Sequence, residues 1–311
     1  MDQVLFGLSY LSKQVKVIEM KKNKMYVLII LCGLLIAGCS GKKTAEIKQQ
    51  ELSKEPTSEI QERKSAIPTL FIHGYGGGSN SFGNMINRLE KDNLTKKELV
   101  LTVNGQGEIQ SQGALTKQKD NPSIQVLFEE NKSNEWNQAE WIKNCLQFIQ
   151  DNYEVTEVNL VGHSMGGASS LRYLTTFGND PSLPKINKFV AIAAPFNNFV
   201  ELPSDESVDS VIANGPSIQS ERYADYVSGM DQVTSNMQVL LIAGDVEDSS
   251  LSDGTVLVTD ALSVVSLFKN HGNQVQEKIF YGKSAQHSQL HENTEVDQLV
   301  GDFLWSPVES K

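Results

Sequence analysis

From residue 67 onward, short apolar runs alternate with segments whose apolar residues recur at helical spacing. Nearly continuous apolar runs predict buried strands, as at Phe189–Ala194 and Val239–Ala243. Apolar residues recur every three or four positions in Trp136–Tyr153, which predicts an amphipathic helix. The same order is repeated by strands at 70–72, 98–103, 124–128, 158–161 and 275–281 and by helices at 166–177 and 296–305. The alternation predicts one α/β domain over residues 67–311, with a mostly parallel central sheet flanked by helices.

The first 38 residues follow a different pattern. Residues 25–38, MYVLIILCGLLIAG, are apolar throughout and follow Lys21, Lys22 and Lys24. A basic segment before a short apolar run is typical of a secretory signal peptide, and this run is shorter than the ~20 residues that span a bilayer. Residues 1–19 do not fit such a peptide, so we expect translation to start at Met20 or Met25.

The apolar run ends in Leu35-Ile36-Ala37-Gly38-Cys39, which resembles the lipobox of bacterial lipoproteins. The resemblance implies cleavage after Gly38 and a lipid on the Cys39 thiol, whose acyl chains hold the protein at the membrane. Residues 40–66 are rich in charge and contain no aromatic residue, which predicts a flexible, solvated tether after the lipidated cysteine. The expected location is the extracytoplasmic face of the cell membrane.

Charge and cysteine content exclude several classes of protein. The chain has 27 Lys and Arg against 38 Asp and Glu, a net charge of −11. Residues 67–311 hold 31 of the 38 acidic residues but only 16 of the 27 basic ones. Because a nucleic-acid binder usually has a basic face, we expect no nucleic-acid partner. The three cysteines form no C-x-x-C pair, and Cys145 falls on the apolar side of the predicted helix, so a disulfide scaffold and a zinc or redox site are not expected.

The sequence Gly162-His163-Ser164-Met165-Gly166 lies between a predicted strand and a predicted helix. This G-x-S-x-G pattern at a strand-to-helix turn is typical of a nucleophile elbow. Glycines on both sides leave room for a sharp turn, and the turn lifts the serine hydroxyl above the sheet. The backbone N–H of Met165, at the helix N-terminus, then faces a developing oxyanion. We therefore predict that Ser164 is a nucleophile.

A glycine-rich loop, His73–Gly78, follows the first predicted strand. It lacks the G-K-[ST] ending of a phosphate-binding loop. We interpret it as the second half of an oxyanion hole, in which Gly74 makes the turn, Tyr75 supplies a backbone N–H and His73 has a structural role. Each such N–H donor lowers the barrier by ~3–4 kcal/mol.

In proteins with a nucleophile elbow of this kind, the serine is followed along the chain by the acid and then by the histidine. The acid and the base are therefore expected late in the chain. His287 and His291 both follow the last strand. His287 is nearer to the strand and is favoured as the base, with His291 as the alternative on the first turn of the next helix.

The loop after Val239–Ala243 carries several acidic residues. Asp253 is favoured as the acid, because Gly254 allows a tight turn and Val256 can anchor the loop, and Asp245 is the alternative. The loop lacks the D-x-[DN]-x-[DN]-G pattern of a calcium loop, so no metal and no cofactor are expected.

Together these motifs resemble the α/β-hydrolases, and more narrowly a group of bacterial cell-surface hydrolases of unassigned substrate, found chiefly in Gram-positive bacteria. The matching segments run in order over about residues 67–306: HGYGG (73–77), NPSIQVLFEEN (121–131), GHSMGG (162–167), AAPFN (193–197), SDGTV (252–256) and HSQLHEN (287–293). The resemblance implies the α/β-hydrolase fold, with Ser164 as nucleophile, Asp253 as acid and His287 as base. It implies Tyr75 and Met165 as oxyanion donors. The segments around Asp253 and His287 are also similar to those of bacterial lipases.

The expected function is therefore that of a lipid-anchored, monomeric serine hydrolase that cleaves a small-molecule or lipid ester through an acyl-enzyme. Thioester or amide cleavage is the next interpretation. The alternative from another class is a non-catalytic surface lipoprotein that binds cell-wall material or a partner, against which the complete set of serine, acid and histidine argues.

Two insertions could shape the substrate pocket. Residues 104–135 are long enough for a hairpin. Residues 196–236 mix apolar and polar side chains, and they either form a mobile apolar lid or pack on the core.

Overall fold

The computed structural model describes residues 64–305. The expected signal peptide, the lipidation site at Cys39 and the tether up to residue 63 therefore lie outside the described residues. Within residues 64–305, no helix is both long enough and apolar enough to cross a membrane.

A single eight-stranded sheet runs through the described domain. Its strands are β1 (Thr69–Ile72), β2 (Lys96–Val103), β3 (Ile109–Gly113), β4 (Pro122–Phe128), β5 (Glu157–His163), β6 (Lys185–Ile192), β7 (Gln238–Asp245) and β8 (Gln274–Tyr281). They lie in the order β3-β2-β4-β1-β5-β6-β7-β8. The β2–β3 pair is antiparallel and closes the hairpin expected in the 104–135 insertion, whereas the other pairs are parallel. The predicted α/β class with a mostly parallel sheet is confirmed.

Helices cover both faces of this sheet. They are α1 (Ser79–Lys91), α2 (Glu135–Tyr153), α3 (Met165–Phe177), α4 (Val208–Asn214), α5 (Glu221–Gly229), α6 (Val258–Ala261), α7 (Val265–Asn270) and α8 (Thr294–Trp305). The helices α2, α3 and α7 contribute to the core on one face, and α1 and α8 to the core on the other. Successive strand residues point to opposite faces, so a strand buried on both sides has few polar positions. In β1, for example, Leu70 packs in the core with α2, α3 and α7, and Phe71 packs in the core with α1 and α8.

The strand β6 ends two residues earlier than the sequence predicts. The backbone of Ala193 has a φ of 52°, a left-handed conformation that a strand does not contain. The chain therefore leaves the sheet at Ile192, although Ala193 and Ala194 remain buried.

The segment 196–236 packs on the core of the domain. Several of its apolar side chains are buried, namely Phe196, Val211, Tyr223, Tyr226, Met230 and Val233, whereas Phe199, Ile218 and Val227 are exposed. The hydroxyl of Tyr226 donates to the backbone carbonyl of Ala168 in α3 at 3.0 Å. The buried side chains of this segment therefore belong to the core, and its exposed apolar side chains do not.

A buried ion cluster fastens the same segment to α2 and α3. Glu135, at the start of α2, accepts hydrogen bonds from Nε and Nη2 of Arg172 at 3.1 and 2.6 Å and pairs with Arg222 of α5. The Arg172 guanidinium also lies 3.9 Å from the ring centroid of Trp136 and 3.2 Å from the Asp225 carboxylate. Two buried cations and one shared carboxylate thus join three helices, and breaking such a pair leaves a charge without compensation.

Candidate active site

Ser164 lies at a sharp turn between β5 and α3. Its backbone has φ 54° and ψ −126°, values that a non-glycine residue rarely adopts and that store strain of about 1–3 kcal/mol. The turn is held by a hydrogen bond from the Ser164 N–H to the carbonyl of Ile192 at 2.8 Å. The strain is therefore concentrated at the residue whose hydroxyl is predicted to react.

Two glycines make this turn sterically possible. A Cβ atom on Gly162 would lie 2.5 Å from the backbone nitrogen of Gly167. A Cβ atom on Gly166 would lie 2.3 Å from the carbonyl oxygen of Ile72 in the neighbouring strand. Both distances are shorter than real Cβ contacts, so the tightness of the turn requires glycine at 162 and its close approach to β1 requires glycine at 166.

A chain of hydrogen bonds connects Ser164 to His287 and Asp253. The Oγ atom of Ser164 lies 2.9 Å from Nε2 of His287, and Nδ1 of the same ring lies 2.7 Å from Oδ2 of Asp253. The Asp253 side chain is 1 % exposed. The structure therefore brings together the favoured nucleophile, base and acid.

Asp253 is fixed by the loop that carries it. Its other carboxylate oxygen, Oδ1, accepts the backbone N–H groups of Thr255 and Val256 at 2.8 and 2.7 Å. Gly254 between them has a φ of 86°, the left-handed conformation that glycine adopts without cost. The alternative acid, Asp245, accepts the backbone N–H of Glu247 instead. Only Asp253 of the two contacts His287 in the described part of the chain.

The loop after β1 lies against the serine. A Cβ atom on Gly74 would be 2.8 Å from the Cβ of Ser164, so a larger residue would crowd the nucleophile. The N–H of Gly76 donates to the carbonyl of Asn131 at 2.8 Å. The neighbouring N–H of Tyr75 donates to no protein acceptor within residues 64–305. Met165 is the first residue of α3, where backbone N–H groups have no partner in the helix.

His73 bridges two strands and does not face the serine. Its Nδ1 donates to the carbonyl of Gly74 at 2.8 Å, and its Nε2 accepts the backbone N–H of Phe128 at 3.0 Å. Both ring nitrogens are therefore used, in agreement with the structural role inferred from the sequence. Burial lowers the pKa of His73, which keeps this ring neutral.

Two further histidines surround His287. The ring of His163 lies 4.7 Å from that of His287 and 4.8 Å from that of His291, measured between centroids. Nε2 of His163 donates to the backbone carbonyl of His287 at 3.0 Å. Burial lowers the pKa of His163 well below its ordinary value, and the neighbouring His287 and His291 lower it further. His163 thus holds His287 in place as a neutral donor, a contact that the sequence did not predict.

His291 does not occupy the position that the sequence predicts. It lies in a short 3₁₀ turn, Leu290–Glu292, and the helix α8 begins only at Thr294. Its Nδ1 is 3.2 Å from Oε1 of Glu292, and the ring does not hydrogen-bond to Ser164. The alternative base is therefore next to the catalytic histidine candidate but is not in its place.

Arg88 of α1 clamps the turn that contains His291. Its guanidinium donates to the Glu292 carboxylate at 2.8 Å, to the carbonyl of His291 at 2.8 Å and to both carboxylate oxygens of Asp297. The hydrogen bond with Asp297 is the largest of the effects that raise the pKa of Arg88. This clamp is formed by residues about 200 positions apart, and no local pattern in the sequence indicates it.

Neither a metal centre nor a reactive cysteine is found in the described residues. No group of three or more histidine, cysteine, aspartate or glutamate side chains within residues 64–305 is arranged to hold a metal ion. Cys145 is fully buried, and burial raises the pKa of its thiol, so it is inert as a nucleophile.

The sheet, the flanking helices and the serine turn define the class. A mostly parallel eight-stranded sheet, with the serine at the turn after β5, is the architecture of the α/β-hydrolase fold. Residues 56–307 match the family described as alpha/beta hydrolases of unknown function, DUF915. The chain belongs to that family.

Solved structures similar to this one include the following two. The product of the lin2722 gene of Listeria innocua is 27% identical, with a TM-score of 0.72 over 79% of this chain and 96% of that one. A candidate cell surface hydrolase of Lactobacillus plantarum WCFS1 is 23% identical, with a TM-score of 0.63 over 78% of this chain and 93% of that one. The Listeria innocua structure supports the fold over the whole domain, and the Lactobacillus plantarum structure shows the fold alone. The comparison with curated proteins finds no match.

Proposed function

We propose that this α/β-hydrolase is a serine esterase that uses Ser164, His287 and Asp253. The observation that carries the proposal is the continuous hydrogen-bonded path from Ser164 Oγ through the His287 ring to Asp253, with steps of 2.9 and 2.7 Å. The strained backbone of Ser164 supports it further, because strain at a reactive residue is maintained only where the surrounding structure fixes it.

The chemistry follows from this path. His287 Nε2 removes the hydroxyl proton of Ser164 while Oγ attacks the ester carbonyl carbon. The tetrahedral intermediate collapses, the carbon–oxygen bond of the alcohol breaks, and the alcohol leaves with the proton held by His287. Water, activated by the same ring, then attacks the acyl-enzyme and releases the carboxylic acid and free Ser164. Asp253 fixes the tautomer with hydrogen on Nδ1 and stabilises the imidazolium that forms.

Two backbone N–H groups would donate hydrogen bonds to the developing oxyanion. Met165 offers the unpaired N–H of the first residue of α3, where the helix dipole also favours negative charge. Tyr75 offers the second N–H from the loop that lies against Ser164. Loss of one such donor typically costs about 10²–10³ in kcat.

The location at the cell surface is the second part of the proposal. The Leu35–Cys39 sequence supports a lipid on the Cys39 thiol, and the printed description of the similar Lactobacillus plantarum protein supports a surface location. The test is expression of the full chain in a bacterium that processes lipoproteins, with radioactive palmitate in the medium. Label on the wild type but not on Cys39→Ala, and release of Cys39→Ala from the membrane fraction, are expected. Equal labelling of both would contradict it.

A fluorophosphonate probe tests the serine mechanism. We expect the 40–311 fragment to be labelled on Ser164, as identified by mass spectrometry of the modified peptide, and the Ser164→Ala variant to show no label. The same wild-type fragment should release p-nitrophenol from p-nitrophenyl acetate. A wild-type protein that folds, gives no label and hydrolyses neither ester nor thioester would overturn the proposal and favour a binding protein on a hydrolase fold.

A further inference from the structure

The cavity beside Ser164 is lined by glycines, by polar side chains and by the ring of Tyr75. Its volume is about 310 Å³, and the side chains that line it come from the loop after β1, the start of α1, the turn at Ser164, and His287, Ser288, His291 and Glu292. No aliphatic side chain is among them. Since a ligand site for an acyl chain is normally lined by apolar and aromatic groups, this wall does not suit a long hydrocarbon.

The segment that could supply an apolar cover does not reach the cavity. None of the cavity walls comes from residues 196–236. Phe196 and Tyr226 of that segment are fully enclosed in the core, and its exposed apolar side chains, Phe199, Ile218 and Val227, do not line the cavity. Its helix α5 is also tied to α2 by the buried pair of Arg222 with Glu135. Within residues 64–305, the site is therefore a recess to whose walls the segment 196–236 contributes no side chain.

One side of the recess has hydrogen-bonding capacity that the protein does not use. An ionised carboxylate accepts about four hydrogen bonds. From residues 64–305 Glu292 receives three, from Asn84 at 3.1 Å, Arg88 at 2.8 Å and His291 at 3.2 Å. Partial burial raises its pKa, but the bonds from Asn84 and Arg88 outweigh this, so that the pKa lies below the ordinary value and the group is ionised.

The neighbouring side chains add further free groups. With its Nδ1 hydrogen directed to Glu292, the neutral ring of His291 has Nε2 as an acceptor that no group of the described domain uses. Burial lowers the pKa of His291, which favours this neutral form. The side chains of Asn80 and Ser288 are exposed at the rim, and neither hydrogen-bonds to another group within residues 64–305.

We infer that the ester cleaved at Ser164 is that of a polyhydroxylated alcohol, a sugar or a polyol carrying a short acyl group. Its hydroxyls would donate to Glu292 and His291 and exchange hydrogen bonds with Asn80 and Ser288. Hydrolysis would release the free hydroxyl compound and a short carboxylic acid. The inference rests on the proposed serine esterase function, and it adds the substrate class.

A matched pair of acetates tests the substrate class. Methyl 6-O-acetylglucopyranoside and cyclohexylmethyl acetate are both acetates of a primary alcohol on a six-membered ring, but only the first has ring hydroxyls. We expect kcat/KM for the sugar acetate to be about tenfold higher, the effect of one or two hydrogen bonds. The decanoyl ester of the same sugar should react about tenfold more slowly than the acetyl ester.

Variants locate the recognition. In His291→Phe, which keeps an aromatic ring, and in Glu292→Gln, the ratio of kcat/KM for the sugar acetate to that for cyclohexylmethyl acetate should fall about tenfold. Asn80→Ala, at an exposed position, should also lower the ratio. This effect should not act through the hydrogen bonds that Arg88 makes to His291 and Glu292. The matched control is His271→Phe, because His271 bonds to the carbonyl of Val233 and does not line the cavity. This control should retain the wild-type ratio.

The outcomes separate this inference from the function on which it rests. If the fluorophosphonate labels Ser164 but the cyclohexylmethyl or decanoyl ester reacts as fast as the sugar acetate, the substrate class is wrong and the esterase function stands. If His291→Phe, Glu292→Gln and Asn80→Ala all keep the wild-type ratio, recognition at this wall is wrong. If the folded protein is neither labelled nor active on any ester, the proposed function itself fails.

Discussion

Asp253 and His287 are joined twice. The backbone N–H of His287 donates to the carbonyl of Asp253 at 2.9 Å, and the ring Nδ1 lies 2.7 Å from the Asp253 carboxylate. The first link involves only backbone atoms and holds the two loops together whatever the side chain at 253. The second link sets the tautomer of the ring. A change in the side chain can therefore separate the orientation of the ring from the position of the loop.

Asp253→Asn should abolish most of the activity without unfolding the protein. The amide cannot enforce hydrogen on Nδ1, and the wrong tautomer of His287 costs about 10⁴ in kcat in the Ser-His-Asp mechanism. KM should change little, because Asp253 does not line the cavity. Steady-state hydrolysis of p-nitrophenyl acetate and the thermal transition measure both quantities. Asp245→Asn is the matched control and should keep most of the wild-type kcat, and an equal loss in both variants would contradict the assignment.

Gly166→Ala should destabilise the domain strongly. The new methyl group would overlap the Ile72 carbonyl at 2.3 Å, and backbone cannot move aside as a flexible side chain does. Overpacking of this kind costs about 1–3 kcal/mol in the free energy of unfolding. The control is Gly78→Ala in the glycine-rich loop, where a Cβ atom meets nothing within 4 Å. Urea unfolding should show the loss for Gly166→Ala alone, and similar midpoints for both variants would contradict the steric argument.

Glu135→Gln should also destabilise the fold, through charge and not through shape. It leaves Arg172 and Arg222 buried without their shared carboxylate, and removing one partner of a buried pair costs about 3–5 kcal/mol. Glu140→Gln, on the same helix, removes an exposed pair with Lys143 and should change the free energy of unfolding by less than about 0.5 kcal/mol. A small loss in Glu135→Gln would show that the cluster is not fully desolvated.

Acidification should weaken the fold partly through His163. Its pKa is well below 6.5 in the folded protein, so below pH 6.5 the unfolded chain binds a proton that the folded chain does not. The contribution of His163 to the free energy of unfolding is complete above pH 6.5. It falls by about 1.4 kcal/mol for each pH unit below that value. Between pH 7 and pH 5, the free energy of unfolding should therefore fall less in His163→Gln than in the wild type. Parallel pH profiles for the two proteins would contradict the buried, neutral state of His163.

The sequence predicts those parts of the site that depend on local backbone geometry. The turns at Ser164 and Gly254 and the loop after β1 have short glycine-containing patterns, because their conformations exclude larger residues. The order of strands then determines that the loops after β1, β5, β7 and β8 meet at one edge of the sheet. Ser164, Asp253 and His287 could be chosen from the sequence for this reason, although nothing there excluded His291.

The ion pairs of Arg88 and of Glu135 could not be predicted in the same way. Arg88 meets Glu292 and Asp297, and Glu135 meets Arg172 and Arg222, across long stretches of chain. Such contacts depend on how the helices pack, and a charged residue on an exposed helix has the same local pattern as one in a buried pair. The helix α1 did have a signal, since its buried residues Phe82, Met85, Ile86 and Leu89 have helical spacing. The helices predicted from the sequence do not include this one.

The comparison of His287→Ala with His291→Ala tests the central claim most directly. Both substitutions remove an imidazole from the same cluster, but only His287 lies within hydrogen-bonding distance of the Ser164 hydroxyl. The account predicts that the rate of fluorophosphonate labelling falls by at least about 10³ in His287→Ala, because a general base contributes about 10²–10⁴ and orients the nucleophile as well. In His291→Ala the rate should stay within about tenfold of the wild type. Loss of labelling in His291→Ala with retention in His287→Ala would contradict the triad of Ser164, His287 and Asp253.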